Sequence, residues 1–135
     1  MGISHDRLKM LVVEDDELIR QLIIHYFEDG PYEFFQAGDG QEALRIALNE
    51  KPDVIITDLM MPRLDGNGLI RTLRMMKDFA TTPIIAVTAG SVDMRTRARQ
   101  EGANVVLEKP IREAEAVRTV EELLALTPFV RKLEK

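Results

Sequence analysis

Val54-Ile55-Ile56-Thr57-Asp58-Leu59-Met60-Met61-Pro62 runs from an apolar stretch straight into a carboxylate and then a proline-ended loop. A run that is apolar at successive positions, not alternate ones, fits a strand covered on both faces, as in a parallel sheet flanked by helices. An aspartate at the end of such a strand is poorly solvated by its neighbours and needs partners or a cation. Three other stretches have the same form. Met10-Leu11-Val12-Val13 precedes Glu14-Asp15-Asp16, Ile84-Ile85-Ala86-Val87 precedes Thr88-Ala89, and Val105-Val106-Leu107-Glu108 precedes Lys109-Pro110. As parallel strands, the four runs bring their polar followers together along one sheet edge, where open α/β folds place their sites.

Outward from these runs, strands and helices alternate. Strands are expected over 9–13, 33–37, 54–57, 83–87 and 104–107. Between them, Leu18, Leu22 and Tyr26 are spaced as a helix stripe. Ala43, Leu44, Ala47 and Leu48 follow Asp39-Gly40, and Leu69, Ile70 and Leu73 form a third set, Met94 and Ala98 a fourth. A last helix carries Val117, Val120 and Leu124 on one face, with Pro110 suited to its first turn. Right-handed crossovers leave a doubly wound parallel sheet of five βα units as the simplest α/β topology.

The composition agrees with one soluble globular domain: 135 residues, 45% apolar and 30% charged. A formal charge of −5 and a pI near 5.1 argue against a nucleic-acid-binding surface, which needs a clustered basic excess. With no cysteine, disulfides and thiolate metal sites are excluded. No apolar stretch approaches the roughly 20 residues of a membrane span, and 1–9 lack a signal-peptide pattern, so a cytoplasmic location is expected.

The acidic loop sets the chemistry. Glu14, Asp15 and Asp16 repel one another, and Asp58 beside them aggravates this unless a cation intervenes. Mg²⁺ suits the place: it is hard, takes oxygen ligands, and is held by one or two carboxylates with waters and phosphoryl oxygens. Asp16 and Glu17 also serve as an acidic helix start. Neither GxGxxG nor GxxxxGK[ST] occurs, which argues against a glycine-cradled nucleotide site. A metal-held carboxylate can attack phosphorus and give an aspartyl phosphate. A hydroxyl (Thr88) and an ammonium (Lys109) then neutralise the equatorial oxygens. Two strand spacings separate strand 5 from strand 3, roughly 10 Å, within the combined reach of Lys109 and a phosphorylated Asp58.

Taken together, Val12-Val13-Glu14-Asp15-Asp16, Asp58 through Gly66, Val87-Thr88-Ala89 and Lys109-Pro110 resemble the signature set of bacterial response-regulator receiver domains. The resemblance covers 8–126, leaving 127–135, broken by Pro128, as a tail or the start of a linker. It implies a flavodoxin-like five-stranded sheet in the order 2-1-3-4-5 and a phosphorylation-dependent switch, not an enzyme in the ordinary sense. By the resemblance, Asp58 is the phosphoacceptor. Asp15, Asp58 and the backbone carbonyl of Met60 bind Mg²⁺, and Glu14 completes the acidic pocket, reaching the ion through a water. Thr88, Lys109 and the backbone of Ala89 hold the phosphoryl group, and the peptide before Pro110 is cis.

The implied donor is a phosphohistidine on a sensor histidine kinase or histidine phosphotransfer protein. An output partner of unknown identity and a dimer formed on phosphorylation are also implied, with no nucleic-acid or membrane contact by this domain. Two positions depart from the family pattern. Val106 stands where an aromatic switch residue is common, and Ile111 where phenylalanine is frequent. The alternatives are a haloacid-dehalogenase-like Mg²⁺-dependent phosphohydrolase, a flavodoxin-like electron carrier, and a degenerate receiver serving only as an interaction module. The first is disfavoured because its nucleophile follows strand 1 in a D-x-D pattern. His25 reads as an ordinary helix residue, the methionines as packing residues, Asp39 as a surface acid, and Arg95, Arg97 and Arg99 as a solvated face.

Overall fold

The computed structural model describes residues 7–61 and 63–125; the expected tail over 127–135, with Leu126, lies outside them. The order is β1 (Leu8–Val13), α1 (Glu17–Tyr26), β2 (Tyr32–Ala37), α2 (Gly40–Glu50), β3 (Val54–Asp58), α3 (Gly66–Arg74), a 3-10 turn (Lys77–Phe79), β4 (Ile84–Thr88), α4 (Val92–Glu101), β5 (Val105–Glu108) and α5 (Glu113–Ala125). All pairings are parallel, in the order β2-β1-β3-β4-β5. The expected doubly wound sheet is present.

Strand side chains alternate between the two faces, and both faces are covered. Leu11, Val13, Ile55, Ile84 and Ala86 join one core with Ala43 and Ala47 of α2, Leu69, Ile70 and Leu73 of α3, and Ala98 of α4. Met10, Val12, Val54, Ile56, Ile85 and Val87 join the other with Ile23 and Ile24 of α1 and Ala116, Val120 and Leu124 of α5. Two buried faces are why the strands read as unbroken apolar runs. Asp16, Asp39, Asp65 and Ser91 cap α1 to α4 by accepting the third amide beyond each cap, an arrangement worth about 1 kcal/mol per helix.

Three local expectations are corrected. In α1 the Leu18–Leu22 stripe faces outward, Leu18 being 83% exposed, while Ile23 and Ile24 are buried. With apolar residues on several faces of α1, spacing alone did not identify the one that meets the sheet. Pro110 lies outside α5, which begins at Glu113; the Lys109–Pro110 peptide is cis, as expected. Asp58 and Thr88 are the last residues of β3 and β4, not residues beyond them, because both are still paired across the sheet: Asp58 with Val87, Thr88 with Glu108.

Candidate functional site

The register brings the ends of β1, β3 and β5 to one edge. Glu14 directly follows β1, its amide donating to the Ala37 carbonyl at 3.0 Å. Its carboxylate accepts from the Asp16 amide at 3.1 Å, and Arg20 Nη1 donates to its carbonyl at 2.7 Å. Asp58 is fixed through its neighbour, the Leu59 amide donating to the Val87 carbonyl at 3.1 Å. Lys109, whose amide donates to the Thr88 carbonyl at 3.0 Å, sends its ammonium across the edge. Nζ lies 3.1 Å from Glu14 Oε1 and 3.4 Å from Asp58 Oδ1. The nearer contact is within ion-pair range, but its angles fall short of a directed hydrogen bond.

The electrostatics follow from burial. Glu14 and Asp58 are 2% and 4% exposed. Desolvation pushes Asp58 above the ordinary carboxylate range, and Lys109 and the loop amides only partly offset this. Glu14 is raised as well, by burial first, with repulsion from Asp58 adding to it against the Asp16 amide and Lys109. Burial alone would lower Lys109, but its contacts with Glu14 and Asp58 together raise it.

Oxygens of Glu14, Asp15 and Asp58 can lie within 4.8 Å of one another. Lys109 pairs with Glu14 and Asp58 but has no ion pair with Asp15, so the fully ionised cluster of three carboxylates and one ammonium keeps a surplus of negative charge. Hard oxygen donors, an uncompensated negative charge and an exposed Asp15 fit Mg²⁺. They open onto a cleft of about 510 Å³ whose apolar walls include Ile19, Met60 and Met94, with Ala89 and Gly90 contributing the β4 side. Thr88 is fully buried and does not line the cleft; its Oγ1 accepts from the Gly90 amide at 2.8 Å. A larger groove, about 630 Å³, lies over α4, β5 and α5 and contains neither Asp58 nor Glu14.

The response regulator receiver domain family matches residues 10–121. This chain belongs to that family. Among known proteins, it is similar to the alkaline phosphatase synthesis transcriptional regulatory protein PhoP of Bacillus subtilis, with 36% identity over 86% of this chain and 48% of PhoP. The chain spans about half the length of the curated relatives it matches. Among solved structures, it superposes on the chemotaxis response regulator CheY4 of Vibrio cholerae with TM-score 0.81 and 33% identity, covering 87% of this chain and 98% of that one. The receiver domain of sensor histidine kinase PA1611 from Pseudomonas aeruginosa, with a magnesium ion in its active-site cleft, gives TM-score 0.82 and 30% identity over 88% and 98%. The receiver family consists of phosphoacceptor switch domains of two-component signalling, phosphorylated by sensor histidine kinases, so the hydrolase and electron-carrier alternatives are not favoured.

Val106, 8% exposed, packs in the core that includes Ala86 and Ala98. Ile111 is half-buried against the other core, and its carbonyl accepts from Tyr26 Oη at 3.0 Å. His25 is an exposed helix residue beside Glu28 at 2.8 Å, as expected. The methionines divide: Met61, Met76 and Met94 pack against the core, whereas Met60 and Met75 are 63% and 82% exposed. Among the described residues, no helix is long and apolar enough to cross a membrane.

Two polar supports escaped the sequence reading. Arg20 binds Glu14 from one turn into α1. Asp39 is no surface acid: it is 7% exposed and is joined to Arg63 at 2.8 Å. A cap signal was available in Asp39-Gly40-Gln41-Glu42, but the Arg63 contact spans 24 positions and has no local signature.

Proposed function

We propose that this chain is a phosphorylation-dependent switch whose acceptor is Asp58. The observation that carries the reading is the convergence of Glu14, Asp15 and Asp58, from the ends of β1 and β3, into one acidic cluster whose two buried members pair with the ammonium of Lys109, which follows β5. Asp15, Asp58 and the Met60 carbonyl would hold Mg²⁺, with Glu14 acting through a water. The bound ion neutralises negative charge on the phosphoryl oxygens and on the attacking carboxylate. An Asp58 carboxylate oxygen attacks phosphorus of a phosphohistidine, the P–N bond breaks, its electrons return to the imidazole, and the new P–O bond leaves an acyl phosphate. Lys109 then exchanges one carboxylate contact for a phosphoryl oxygen, joined by the Ala89 amide and by the Thr88 hydroxyl once it leaves Gly90. Positioning and charge neutralisation suffice for such a transfer, so the domain takes part in its own phosphorylation without turning over a separate substrate.

The donor is a sensor histidine kinase or histidine phosphotransfer protein in the cytoplasm. The output is a change in partner binding, of which a dimer formed on phosphorylation is one form, and nucleic acid is not contacted by this domain. The switch domain occupies 8–126, with 127–135 as tail or linker. Val106 supports a second reading, an interaction module without aromatic-coupled switching. The test is incubation with acetyl phosphate and Mg²⁺ followed by intact-mass measurement. One hydroxylamine-labile phosphate is expected on the wild type and none on Asp58→Asn. Equal labelling of the variant moves the acceptor to Asp15 or Asp16, and no labelling of either protein favours the interaction module.

A further inference from the structure

Between the acceptor and α3 lies the loop 59–65, of which 59–61 and 63–65 are described, and Met60 stands beside the acidic cleft. It is closed at its base, where the Gly66 amide donates to the Leu59 carbonyl at 3.2 Å. A Cβ on Gly66 would lie 2.2 Å from the Asp58 carbonyl oxygen, so the base admits only glycine without displacement. At its far end the loop rests on α2. Arg63 Nε and Nη2 both donate to Asp39 Oδ2, at 3.1 and 2.8 Å, while Asp39 Oδ1 accepts from the Glu42 amide at 2.9 Å. Both carboxylate oxygens are therefore engaged, one by α2 and one by the loop. The next residue repeats the contact in the backbone: a Cβ on Gly40 would lie 1.9 Å from the Leu64 carbonyl oxygen.

Arg63 holds this position in the left-handed region, at φ +63°. A non-glycine residue is disfavoured there, so the loop is held in a conformation that Arg63 does not itself favour. The Asp39 contact compensates for that strain. Asp39 is correspondingly depressed below the ordinary carboxylate range, by the Glu42 amide first and then by Arg63.

We infer that the Asp39–Arg63 pair is a positioning latch that anchors the 59–65 loop to α2 and so presets the Met60 carbonyl for Mg²⁺. The inference rests on the assignment of Met60 as a ligand. Supporting groups outside the ligand set commonly change metal affinity by about 10-fold or more when removed. Asp39 and Arg63 are positioning residues, acting through the loop, and neither touches the phosphoryl group.

Two substitutions separate the latch from its side roles. Asp39→Asn keeps a good helix cap while removing the charge, and Arg63→Gly removes the guanidinium while relieving the left-handed strain. In Mg²⁺ titrations followed by calorimetry, each should bind about 10-fold more weakly than wild type. The double variant should be little worse than either single one, because one interaction is lost once. In metal-free protein, amide hydrogen exchange should quicken across the 59–65 loop and stay unchanged in the core strands. With acetyl phosphate, saturating Mg²⁺ should restore the labelling rate. Affinities within two-fold of wild type, or additive losses, overturn the latch, as does exchange that quickens throughout the fold. A wild-type chain that binds no Mg²⁺ instead overturns the ligand assignment itself.

Discussion

The two ends of the sheet gather similar polar groups and resolve them differently. At the end where β1 and β3 begin, the Lys9 amide donates to Asp53 Oδ2 at 2.7 Å, and Lys9 Nζ reaches the Glu50 carbonyl at 3.1 Å and its carboxylate at 3.3 Å. Beside the start of β4, Arg74 donates to the carbonyls of Gly102 and Phe79 at 3.0 and 2.6 Å and to Asn104 Oδ1 at 2.9 Å. Asn104 Oδ1 also accepts from the Ile84 amide at 2.7 Å. Charge here is used to tie off backbone groups. At the other end Glu14 and Asp58 are buried with one shared ammonium and a surplus of negative charge. The first end is closed by its own partners, whereas the second leaves carboxylates in excess of their cationic partner.

The contrast is broken most strongly by removing Arg74. Arg74→Ala removes three hydrogen bonds at once, so unfolding free energy should fall by roughly 3 kcal/mol. Urea denaturation measures this, and Mg²⁺ affinity should stay within two-fold. A fall in both would mean that the two ends are coupled.

At the other end a charge removal should stabilise. Asp58 is raised above its ordinary 3.8 mainly by burial, so the folded state holds its proton more tightly than the unfolded chain. Stability from this group is present below pH 3.8 and is lost as pH rises through the folded value. Asp58→Asn should therefore stabilise the metal-free protein at neutral pH by about 1 kcal/mol. The gain should disappear as pH falls below the ordinary carboxylate range and should reverse when Mg²⁺ is present. Thermal melts with EDTA and with Mg²⁺ check it, and a gain that persists at acid pH would rule out charge burial as its source.

The smallest effect is expected at Val106. It borders both the core and the arginine-lined groove, so a tyrosine ring has room toward the groove. Val106→Tyr should change the labelling rate by less than two-fold while enlarging beryllofluoride-induced amide shifts across β5. In the wild type, those shifts should centre on 88–91 and the start of α4. Wild-type shifts centred on β5 and α5 would show that coupling needs no ring.

Much of the molecule was legible because it is written locally. Apolar runs ending at Val13, Thr57 and Val87 marked strands buried on both faces, and the residues that follow them named the site. Less legible was anything set by which face meets what. Leu18 and Leu22 have helix spacing but point outward, and Pro110 precedes its helix. Thr88 turns its hydroxyl to Gly90 instead of the cleft, because a neighbouring amide offers a nearer partner.

By itself, the sequence determined the strand order of chemistry: acids after the first run, an acid after the third, a hydroxyl after the fourth and an ammonium after the fifth. Only the tertiary structure decided how far these charges are desolvated. It also decided which distant groups hold their loops, as Arg20 holds Glu14 and Asp39 holds Arg63. The physical reason is that residue type and periodicity are local properties. Burial and ion pairing depend on which surfaces a parallel sheet brings together across tens of residues.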